Sequence, residues 1–307
     1  MDVFFYEAFT EEAAELKQRL PAGVRAGFAR ETIQESGHGA PPARLISLRT
    51  QSKIPPAWFA SLDGVLARTT GWDHLAGFPV PSGHLPEYCT RAVAEHAMLL
   101  WTALLRRLPR QMMQFERFDR DGLTGSECAG RRLLVVGVGR IGREIVRLGR
   151  ALDMTVRGVD VIHRHVEIEY VTPSEGIPWA DVIVCAMNLT PENRGWFGGA
   201  RLAAARRGAI FVNVARGELS PANDLARWLD DGTLGGVGLD VYEDEPRLAV
   251  ALRAGQGGFP LAGRPDAILT PHNAFNTGEA VARKARQTVE EILGFLRGHR
   301  FSWPPGE

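Results

Sequence analysis

The chain has 307 residues, with 36 basic and 36 acidic side chains and a formal net charge of zero at pH 7. This balance gives no reason to expect a nucleic acid or an anionic membrane surface as a partner, and hydrophobic residues at 45% provide for ordinary globular cores. The length predicts two domains, and a small-molecule site remains open.

The cysteines and the apolar stretches indicate the cellular compartment in which the protein is expected. Cys89, Cys128 and Cys185 are scattered and odd in number, which predicts neither a disulfide framework nor a zinc site and fits a reducing cytoplasm. The start, "MDVFFYEAFTEEAAELKQRL", lacks the pattern of a signal peptide, and the longest apolar stretch, "AMLLWTALL", is too short for a bilayer. We therefore expect a cytoplasmic protein.

The first part of the chain alternates between strand and helix patterns. Strands are predicted in "DVFFYEAF", "ARLISLR" and "LDGVLART", and a helix in "EEAAELKQRL". The segment "PEYCTRAVAEHAMLLWTALLRRL" predicts a helix that is apolar on nearly every side, and hence buried in a domain or a subunit interface. Residues 109–130 are polar and rich in turn formers, as in a linker or an arm.

From residue 131 the pattern becomes a repeated strand and helix. The predicted strands are "RRLLVVGVG", "MTVRGVD", "ADVIVCAM", "GAIFVNVA", "GGVGLDV" and "DAILTP". Short β-branched runs separated by helical segments indicate a parallel sheet with crossover helices. The last predicted helix, "TGEAVARKARQTVEEILGFLRG", is amphipathic.

A glycine-rich turn follows the first of these strands and opens a helix. In "LLVVGVGRIGREIV", Gly137, Gly139 and Gly142 have the GxGxxG spacing, in which the glycines allow a tight turn, the approach of a pyrophosphate and close packing of helix on strand. The phosphates would meet the amides and the positive dipole of the helix start. We predict a dinucleotide site here. The alternative is a glycine-rich turn that binds nothing.

Asp160 closes the next strand at about the spacing expected for a carboxylate that binds a ribose 2′-hydroxyl, which favours NAD over NADP. His163, Arg164 and His165 follow it, and a cation there can receive a 2′-phosphate. The two histidines have no third ligand nearby in the sequence, so we predict no metal site.

Polar residues follow three later strands. Arg216 comes just after "FVNVA", Asp240 and Glu245 lie in "GLDVYEDEP", and His272 lies in "TPHNAF". Ligands bind outside the carboxyl ends of the strands in an open parallel sheet, so these residues are expected to converge on one cleft. Singly, a strand-end arginine, a glutamate before proline or a histidine in a turn is more often a surface or turn residue. Their order behind a dinucleotide turn favours an active site.

These segments resemble those of the D-isomer-specific 2-hydroxyacid dehydrogenase family over essentially the whole chain. The resemblance is carried by "RTTGWDHL", "PEYCTRAVAEHA", "GVGRIG", "NLTPENRG", "VNVARGEL", "GLDVYEDEP" and "TPHNAF". It implies an α/β protein of two parallel-sheet domains, Rossmann-like or flavodoxin-like, with the NAD domain inserted into the substrate domain. The expected boundaries are residues 1–93 and 277–307 for the substrate domain and 94–276 for the NAD domain. A homodimer is also implied.

The resemblance implies roles for the polar residues. His272 would exchange the proton of the carbonyl or hydroxyl oxygen, Glu245 would favour the imidazolium form of His272, and Arg216 would bind the substrate carboxylate. Further substrate contacts are implied for the backbone amides of Thr70 and Gly71. The implied cofactor is NAD, at Gly137, Gly139, Arg140, Ile141, Gly142, Asp160, Met187, Asn188, Asn193, Val214, Ala215, Arg216 and Asp240.

Two further positions remain open between substrate binding and packing. Tyr88 falls at a family substrate position but packs equally well as a structural residue. Phe275 falls where the D-lactate dehydrogenase branch carries a phenylalanine that limits the pocket to small 2-keto acids, and the alternative is a core aromatic. His96, in the apolar helix, is expected to pack.

The substrate predicted from the resemblance is a small 2-keto acid that is reduced to a D-2-hydroxy acid, as in the D-lactate branch. The alternatives are a hydroxypyruvate or glyoxylate reductase, an enzyme like phosphoglycerate dehydrogenase, or a non-enzymatic corepressor or sensor that binds NADH. Three departures bear on the choice, and the first is Asn188 in place of the proline that the family usually carries. The stretch "DHLAGFPVPSGHLP" is shorter than in the family, and "SLRTQSKIP" lacks the tyrosine that the lactate branch often presents, with Arg49, Thr50 or Gln51 in its place.

Overall fold

A computed structural model describes residues 1–256 and 258–305. The chain divides into two compact units, the first formed by Met1–Cys89 and Asn276–Glu307 and the second by Thr90–Phe275. Along the sequence, the second unit is therefore inserted into the first. Residues 306 and 307, at the end of the predicted 277–307 segment, lie outside the described residues.

Over the described residues, both units contain strands and helices. The strands are β1 Val3–Phe5, β2 Ala26–Phe28, β3 Leu45–Leu48, β4 Gly64–Ala67, β5 Ser82–Gly83, β6 Arg132–Val136, β7 Thr155–Val159, β8 Glu169–Tyr170, β9 Val182–Cys185, β10 Ala209–Asn213, β11 Leu234–Leu239 and β12 Ala267–Leu269. The helices are α1 Thr10–Arg19, α2 Thr90–Leu105, α3 Leu108–Gln114, α4 Arg140–Ala151, α5 Pro173–Trp179, α6 Ala200–Ala203, α7 Ala222–Asp230, α8 Glu245–Arg253 and α9 Gly278–Gly298.

The first unit contains a parallel sheet in the order β2-β1-β3-β4-β5. This is the flavodoxin-like order. The central strands β3 and β4 are buried along their whole length, since neither face of such a sheet is left to solvent. A hydrophobic cluster that includes Phe4, Ile46 and Val65 forms the core.

The second unit contains a parallel sheet in the order β12-β11-β10-β9-β6-β7-β8. The chain enters at β6, moves to β7 and β8 on one side, and then returns to β9 on the other side of β6. The gap between β6 and β9 is thus the topological switch point at which doubly wound sheets bind ligands. The predicted fold class, with two parallel-sheet α/β domains, is confirmed.

The predicted strands and the terminal helix are present, and the structure contains further short strands and a helix that were not predicted. β2, β5 and β8 were not predicted, and α3 with the 3-10 turn Phe115–Arg117 occupies part of the expected 109–130 linker. The helix expected to be buried all round, α2, is buried on one side but leaves Leu99 56% exposed. The shortened stretch after Gly71 keeps a 3-10 turn, Asp73–Leu75.

Candidate active site

The predicted site residues of the second unit follow adjacent strands at one edge of its sheet. In the order of the sheet, the residues after each strand are His272 after β12, Asp240 and Glu245 after β11, Arg216 after β10, Met187 and Asn188 after β9, Gly137 to Gly142 after β6, and Asp160 after β7. Because the strands are parallel, all of these segments lie at the carboxyl edge, where the fold places its ligands.

The glycine turn after β6 has the geometry that a pyrophosphate requires. Gly137 adopts φ +90°, and a Cβ there would clash with the backbone of Met187, so the turn after β6 packs directly on the segment after β9. A Cβ at Gly142 would likewise clash with the carbonyl of Gly137. At Gly139, by contrast, a Cβ would meet nothing within 4 Å, which leaves space beside the start of α4.

The start of α4 suits an anion. Gly139 is its N-cap, with no side-chain hydrogen bond to the first turn, and Arg140 and Ile141 are the first helical residues. Uncapped N–H groups and the helix dipole at this point favour a phosphate. The glycine turn and the helix start therefore fit the pyrophosphate of a dinucleotide.

The Asp160 carboxylate braces this turn. Its Oδ2 accepts a hydrogen bond from the backbone N–H of Val138 at 2.6 Å, and its Oδ1 accepts one from Ile162 at 3.0 Å. Each carboxylate oxygen can accept a second hydrogen bond, so the group can still receive a ribose hydroxyl. Of the cations that follow it, His163 stacks on Tyr170 with ring centroids 4.2 Å apart.

The segment after β9 forms a closed loop. Asn193 donates from Nδ2 to the carbonyl of Asn188 at 2.7 Å and accepts from the N–H of Thr190 through Oδ1 at 2.8 Å. The Asn193 amide thus shapes the loop that begins at Met187, and the exposed Asn188 is presented by it. Met187 lies against the glycine turn.

The loop after β10 is shaped by the buried Asn213. Its Nδ2 donates to the carbonyl of Arg216 and its Oδ1 accepts from the N–H of Ala215, which folds Val214 to Arg216 into a tight turn. The half-buried guanidinium of Arg216 donates from one terminal nitrogen to the carbonyl of Ala215 at 2.8 Å. At Gly217, a Cβ would clash with the backbone of Tyr242, so this loop lies directly against the loop after β11.

His272 and Glu245 form the predicted pair. Nδ1 of His272 lies 2.7 Å from Oε2 of Glu245, and both side chains are partly buried, at 25% and 17% exposure. Engagement of Nδ1 leaves Nε2 as the ring atom free to exchange a proton with a ligand. His272 adopts φ +51°, a left-handed conformation that costs a non-glycine residue about 1 kcal/mol and is concentrated at functional sites.

The buried Asp240 stabilises this unusual turn. Its Oδ1 accepts from the N–H of Asn273 and its Oδ2 from the N–H of Ala274, both at 2.8 Å, immediately after His272. Oδ1 also accepts from the hydroxyl of Thr270 at 2.6 Å. Both oxygens of Asp240 therefore stabilise the turn that contains His272. This role was not predicted from the sequence.

Tyr242 also belongs to the site, although it was not predicted from the sequence. Its hydroxyl donates to the carbonyl of Thr270 at 2.8 Å, and its N–H donates to Oε1 of Glu245 at 3.2 Å. Burial raises the pKa of the Tyr242 phenol, which stays neutral as a donor. One residue thus ties together the segments that carry the carboxylate and the imidazole. In the sequence, its position two residues after Asp240, which follows a strand, was the feature that could have indicated a role in the site.

His96 contributes to the same network instead of only packing. Its Nε2 lies 3.0 Å from the hydroxyl of Thr270, which itself donates to Asp240, so Nε2 carries the proton. Burial lowers the pKa of His96 against the opposing charge of Asp240, and the imidazole is neutral at pH 7. A lone histidine in an apolar helix gives no such signal in the sequence.

In the first unit, Thr70 and Gly71 form a turn shortly after β4. The carbonyl of Thr70 lies 3.0 Å from Nδ1 of His84, and the carbonyl of Gly71 accepts from the hydroxyl of Thr69. Within the described residues, neither backbone N–H of the turn takes part in a hydrogen bond. The hydroxyl of Thr70 lies 3.1 Å from the sulfur of Cys89.

The two positions that were left open are both buried. Tyr88 in the first unit is 3% exposed, and Phe275 in the second is 7% exposed. Their burial leaves both interpretations, packing and substrate contact, in place. Over the described chain, no helix has the length and apolar character to cross a membrane. In the same part, no three His, Cys, Asp or Glu side chains form a cluster suited to a metal ion.

Comparison with known proteins agrees with this geometry. Residues 97–274 match the family model for the D-isomer specific 2-hydroxyacid dehydrogenase, NAD binding domain. The solved structure of D-lactate dehydrogenase from Aquifex aeolicus, complexed with NAD and lactic acid, is similar over 97% of this chain and 96% of that chain, with 25% identity and a TM-score of 0.84.

Two curated relatives differ in their named activities. D-3-phosphoglycerate dehydrogenase of Bacillus subtilis is 31% identical over 220 residues, which are 69% of this chain and 40% of that protein. Glycerate dehydrogenase of Methylorubrum extorquens is 30% identical over 228 residues, 70% of this chain and 68% of that protein. The alignment thus spans less than half the length of the phosphoglycerate dehydrogenase. With more than half of its residues matched by the family model, the chain belongs to the D-isomer specific 2-hydroxyacid dehydrogenase family.

Proposed function

We propose that this protein is an NAD-dependent dehydrogenase that interconverts a small 2-keto acid and the corresponding D-2-hydroxy acid. The observation that carries the proposal is the 2.7 Å contact between Nδ1 of His272 and Glu245, in a histidine turn held by Asp240. A strained turn that is stabilised by hydrogen bonds in this way is expected where an imidazole must be held in one orientation.

In the proposed reduction, the hydride comes from the bound nicotinamide. Nε2 of His272 donates a proton to the carbonyl oxygen of the keto acid. Glu245 stabilises the imidazolium before the transfer and fixes the ring orientation. A positioned acid or base of this kind contributes about 10²- to 10⁴-fold to the rate.

The substrate carboxylate is proposed to bind Arg216, whose planar guanidinium suits a two-oxygen acceptor. Its loop is supported from both sides, by the side chain of Asn213 and by the loop after β11. The backbone N–H groups of Thr70 and Gly71 are proposed as the further carboxylate contact. Within the described residues they are not engaged elsewhere.

For the cofactor we propose a pyrophosphate at Gly137 to Gly142 and a ribose at Asp160. A carboxylate at the ribose repels a 2′-phosphate, so NADH is expected to be preferred over NADPH. The remaining proposed contacts, from Met187, Asn188 and Asn193 after β9 and from Val214 to Arg216 after β10, lie along the same sheet edge.

Substrate identity is proposed as a small 2-keto acid such as pyruvate. The similarity to a D-lactate dehydrogenase over nearly the whole of both chains supports it. The relative named glycerate dehydrogenase supports a second candidate, hydroxypyruvate or glyoxylate as the substrate. Phe275 is proposed to limit the size of the substrate side chain in either case.

We also propose that the protein is a homodimer in the cytoplasm. In the second unit, α3 and the residues that follow it expose a run of large apolar side chains: Leu108, Met112, Met113, Phe115 and Phe118, each between 41% and 73% exposed. Concentrated apolar exposure of this kind marks an interaction surface.

The function is tested by following oxidation of NADH and of NADPH with a panel of 2-keto acids. The panel contains pyruvate, hydroxypyruvate, 3-phosphohydroxypyruvate, glyoxylate, 2-ketobutyrate and phenylpyruvate. We expect turnover of pyruvate or a close relative, faster with NADH than with NADPH. Tight NADH binding without turnover of any acid would instead indicate a corepressor or sensor, and would contradict the proposal.

A further inference from the structure

Lys284 of α9 is a buried lysine in a chain that is otherwise rich in arginine. Of the 36 basic residues three are lysines, Lys17, Lys53 and Lys284. The side chain of Lys284 is fully buried, whereas Lys17 and Lys53 are exposed. A guanidinium remains charged at every physiological pH, but a buried ammonium can release its proton. Position 284 therefore differs chemically from the other basic positions.

The amine lies in a buried ionic cluster of the first unit. Nζ of Lys284 is 2.8 Å from Oε1 of Glu12, and the same oxygen accepts from Nε of Arg68 at 2.9 Å. All three side chains have 0% exposure. Arg68 also donates to the hydroxyl of Ser47 and to the carbonyl of Tyr6, so the cluster is rigidly anchored.

A third cation, Arg49, acts on the same carboxylate. The guanidinium carbon of Arg49 lies 5.5 Å from the centroid of the Phe9 ring, and Nζ of Lys284 lies 4.9 Å from the same centroid. Burial alone would raise the pKa of Glu12, but the charges of Arg68, Lys284 and Arg49 bring it to about 2. Glu12 is therefore ionised at neutral pH and shared by the surrounding cations.

Lys284 is poised to change its charge near neutral pH. Burial lowers the pKa of Lys284 to about 7, with Glu12 acting in the opposite direction and Arg49 and Arg68 adding to the effect of burial. Protonation of Lys284 places three cations around the single carboxylate of Glu12 and so increases the positive charge of the cluster. A second anion close to the cluster would compensate that charge.

The cluster is connected through Tyr88 and Cys89 to the turn proposed to bind the substrate carboxylate. Nζ of Lys284 is 5.5 Å from the centroid of the Tyr88 ring, and the next residue, Cys89, has its sulfur 3.1 Å from the hydroxyl of Thr70. Burial raises the pKa of both Tyr88 and Cys89, so these neighbours stay neutral. The turn also has the imidazole of His84 at the carbonyl of Thr70, and this residue is kept in both proteins that the test compares. Lys284 is the group on the side of the cluster whose charge can respond to an anion.

We infer that Lys284 is a positioning residue whose protonation is coupled to binding of the substrate carboxylate at Thr70 and Gly71. Above neutral pH the free protein holds the neutral amine, and the bound carboxylate draws one proton from the buffer onto Nζ. No covalent bond changes. The inference rests on the proposed function, because the carboxylate contact is part of that proposal.

The coupling is measured by calorimetry with oxamate, an unreactive 2-keto acid analogue, bound to the NADH complex at pH 7.5. Titrations in phosphate and in Tris, which have different heats of ionisation, give the number of protons taken up. The parent protein carries His272→Asn, so that the imidazole does not contribute. With a free pKa near 7, uptake of roughly 0.7 proton is expected for this parent.

The double variant His272→Asn, Lys284→Met is expected to take up less than about 0.2 proton in the same titration. Methionine keeps the length of the chain and is tolerated in apolar surroundings. Equal uptake in the two proteins would overturn the inference. So would an absence of uptake in the parent while oxamate still binds, and this result leaves the proposed function standing. Oxamate that does not bind would count against both.

Glu12→Gln provides an independent arm that does not alter Lys284. Loss of the counter-ion makes the ammonium less favourable, so the pH above which oxamate affinity declines should fall by about one unit. A midpoint that stays unchanged or moves upward would overturn the inference. Thermal melts of all the variants establish that the binding was measured on folded protein.

Discussion

At the scale of single residues, the site depends on carboxylates that accept hydrogen bonds from backbone N–H groups. These are as important to it as the groups that face a ligand. Asp240 binds two N–H groups after His272, and Asp160 binds the N–H of Val138 in the glycine turn. Asp160 was predicted from its spacing, and Asp240 from the family resemblance, as ligand contacts. The sequence shows which position carries a carboxylate, but its partners depend on how the next turn closes in space.

Lys284 leads to a prediction for stability against pH. Its pKa is lowered from the ordinary 10.5 to about 7 in the folded protein, so between these values the unfolded chain binds the extra proton. The free energy of unfolding should therefore rise with pH from about 7 to 10, by up to roughly 1.4 kcal/mol per pH unit. Below pH 7 the amine is protonated in both states, and Lys284 should cause no further pH dependence.

Chemical denaturation of the wild type and of Lys284→Met at several pH values checks this dependence. The stability difference, wild type minus variant, should increase between pH 7 and 10. Lys53→Met, at an exposed lysine, serves as the matched control and should follow the wild type. A difference that stays constant over this range would contradict the role given to the buried amine.

At the scale of elements, the long apolar strands and the amphipathic helices could be predicted and the short ones could not. β3, β4, β6, β9 and β10 are buried along most of their length and carry dense apolar runs. β5 and β8 have two residues each, too few for any periodicity, and β2 is only partly buried at the edge of its sheet. Such strands exist because a neighbouring strand pairs with them.

The glycine turn provides a matched pair of substitutions. Gly139→Ala adds a methyl group that meets no protein atom within 4 Å, so the fold should be kept while the affinity for NADH falls at least about tenfold. Gly137→Ala adds one at φ +90° against Met187, which should cost about 1–3 kcal/mol of stability.

Thermal unfolding and NADH fluorescence titration separate the two effects. The expected pattern is normal melting with weak binding for Gly139→Ala, and early melting for Gly137→Ala. Full NADH affinity in Gly139→Ala would show that no phosphate approaches this turn.

At the scale of the whole molecule, the order of the parallel strands was implied by the family resemblance and not by the residue pattern. Hydrophobic runs predict β6, β7 and β9 to β12 as strands, but they do not show that β9 lies beside β6. That neighbour relation brings Gly137 against Met187, and the order β10-β11-β12 places Arg216, Glu245 and His272 after three adjacent strands. The ordered motifs predicted which polar residues follow the strands at this edge, whereas the supporting contacts of Tyr242 and His96 had to be seen in space.

Assembly is a property of this scale, and the exposed apolar run at residues 108–118 predicts a dimer. Phe115→Arg combined with Met112→Glu should shift the molar mass measured by light scattering from that of a dimer toward that of a monomer. Val166→Arg, at a fully exposed valine elsewhere in the second unit, should leave the mass unchanged. A wild-type protein that is monomeric at all concentrations would contradict the prediction.

The central claim is that His272 is the proton donor, and its replacement by asparagine tests it most directly. The measurement is kcat/KM for reduction of the best 2-keto acid, together with the Kd for NADH, in the wild type, His272→Asn and a control, His299→Asn. We expect a loss of about 10²- to 10⁴-fold in kcat/KM for His272→Asn alone, with NADH affinity within about threefold of the wild type. Turnover by His272→Asn at the wild-type rate would contradict it.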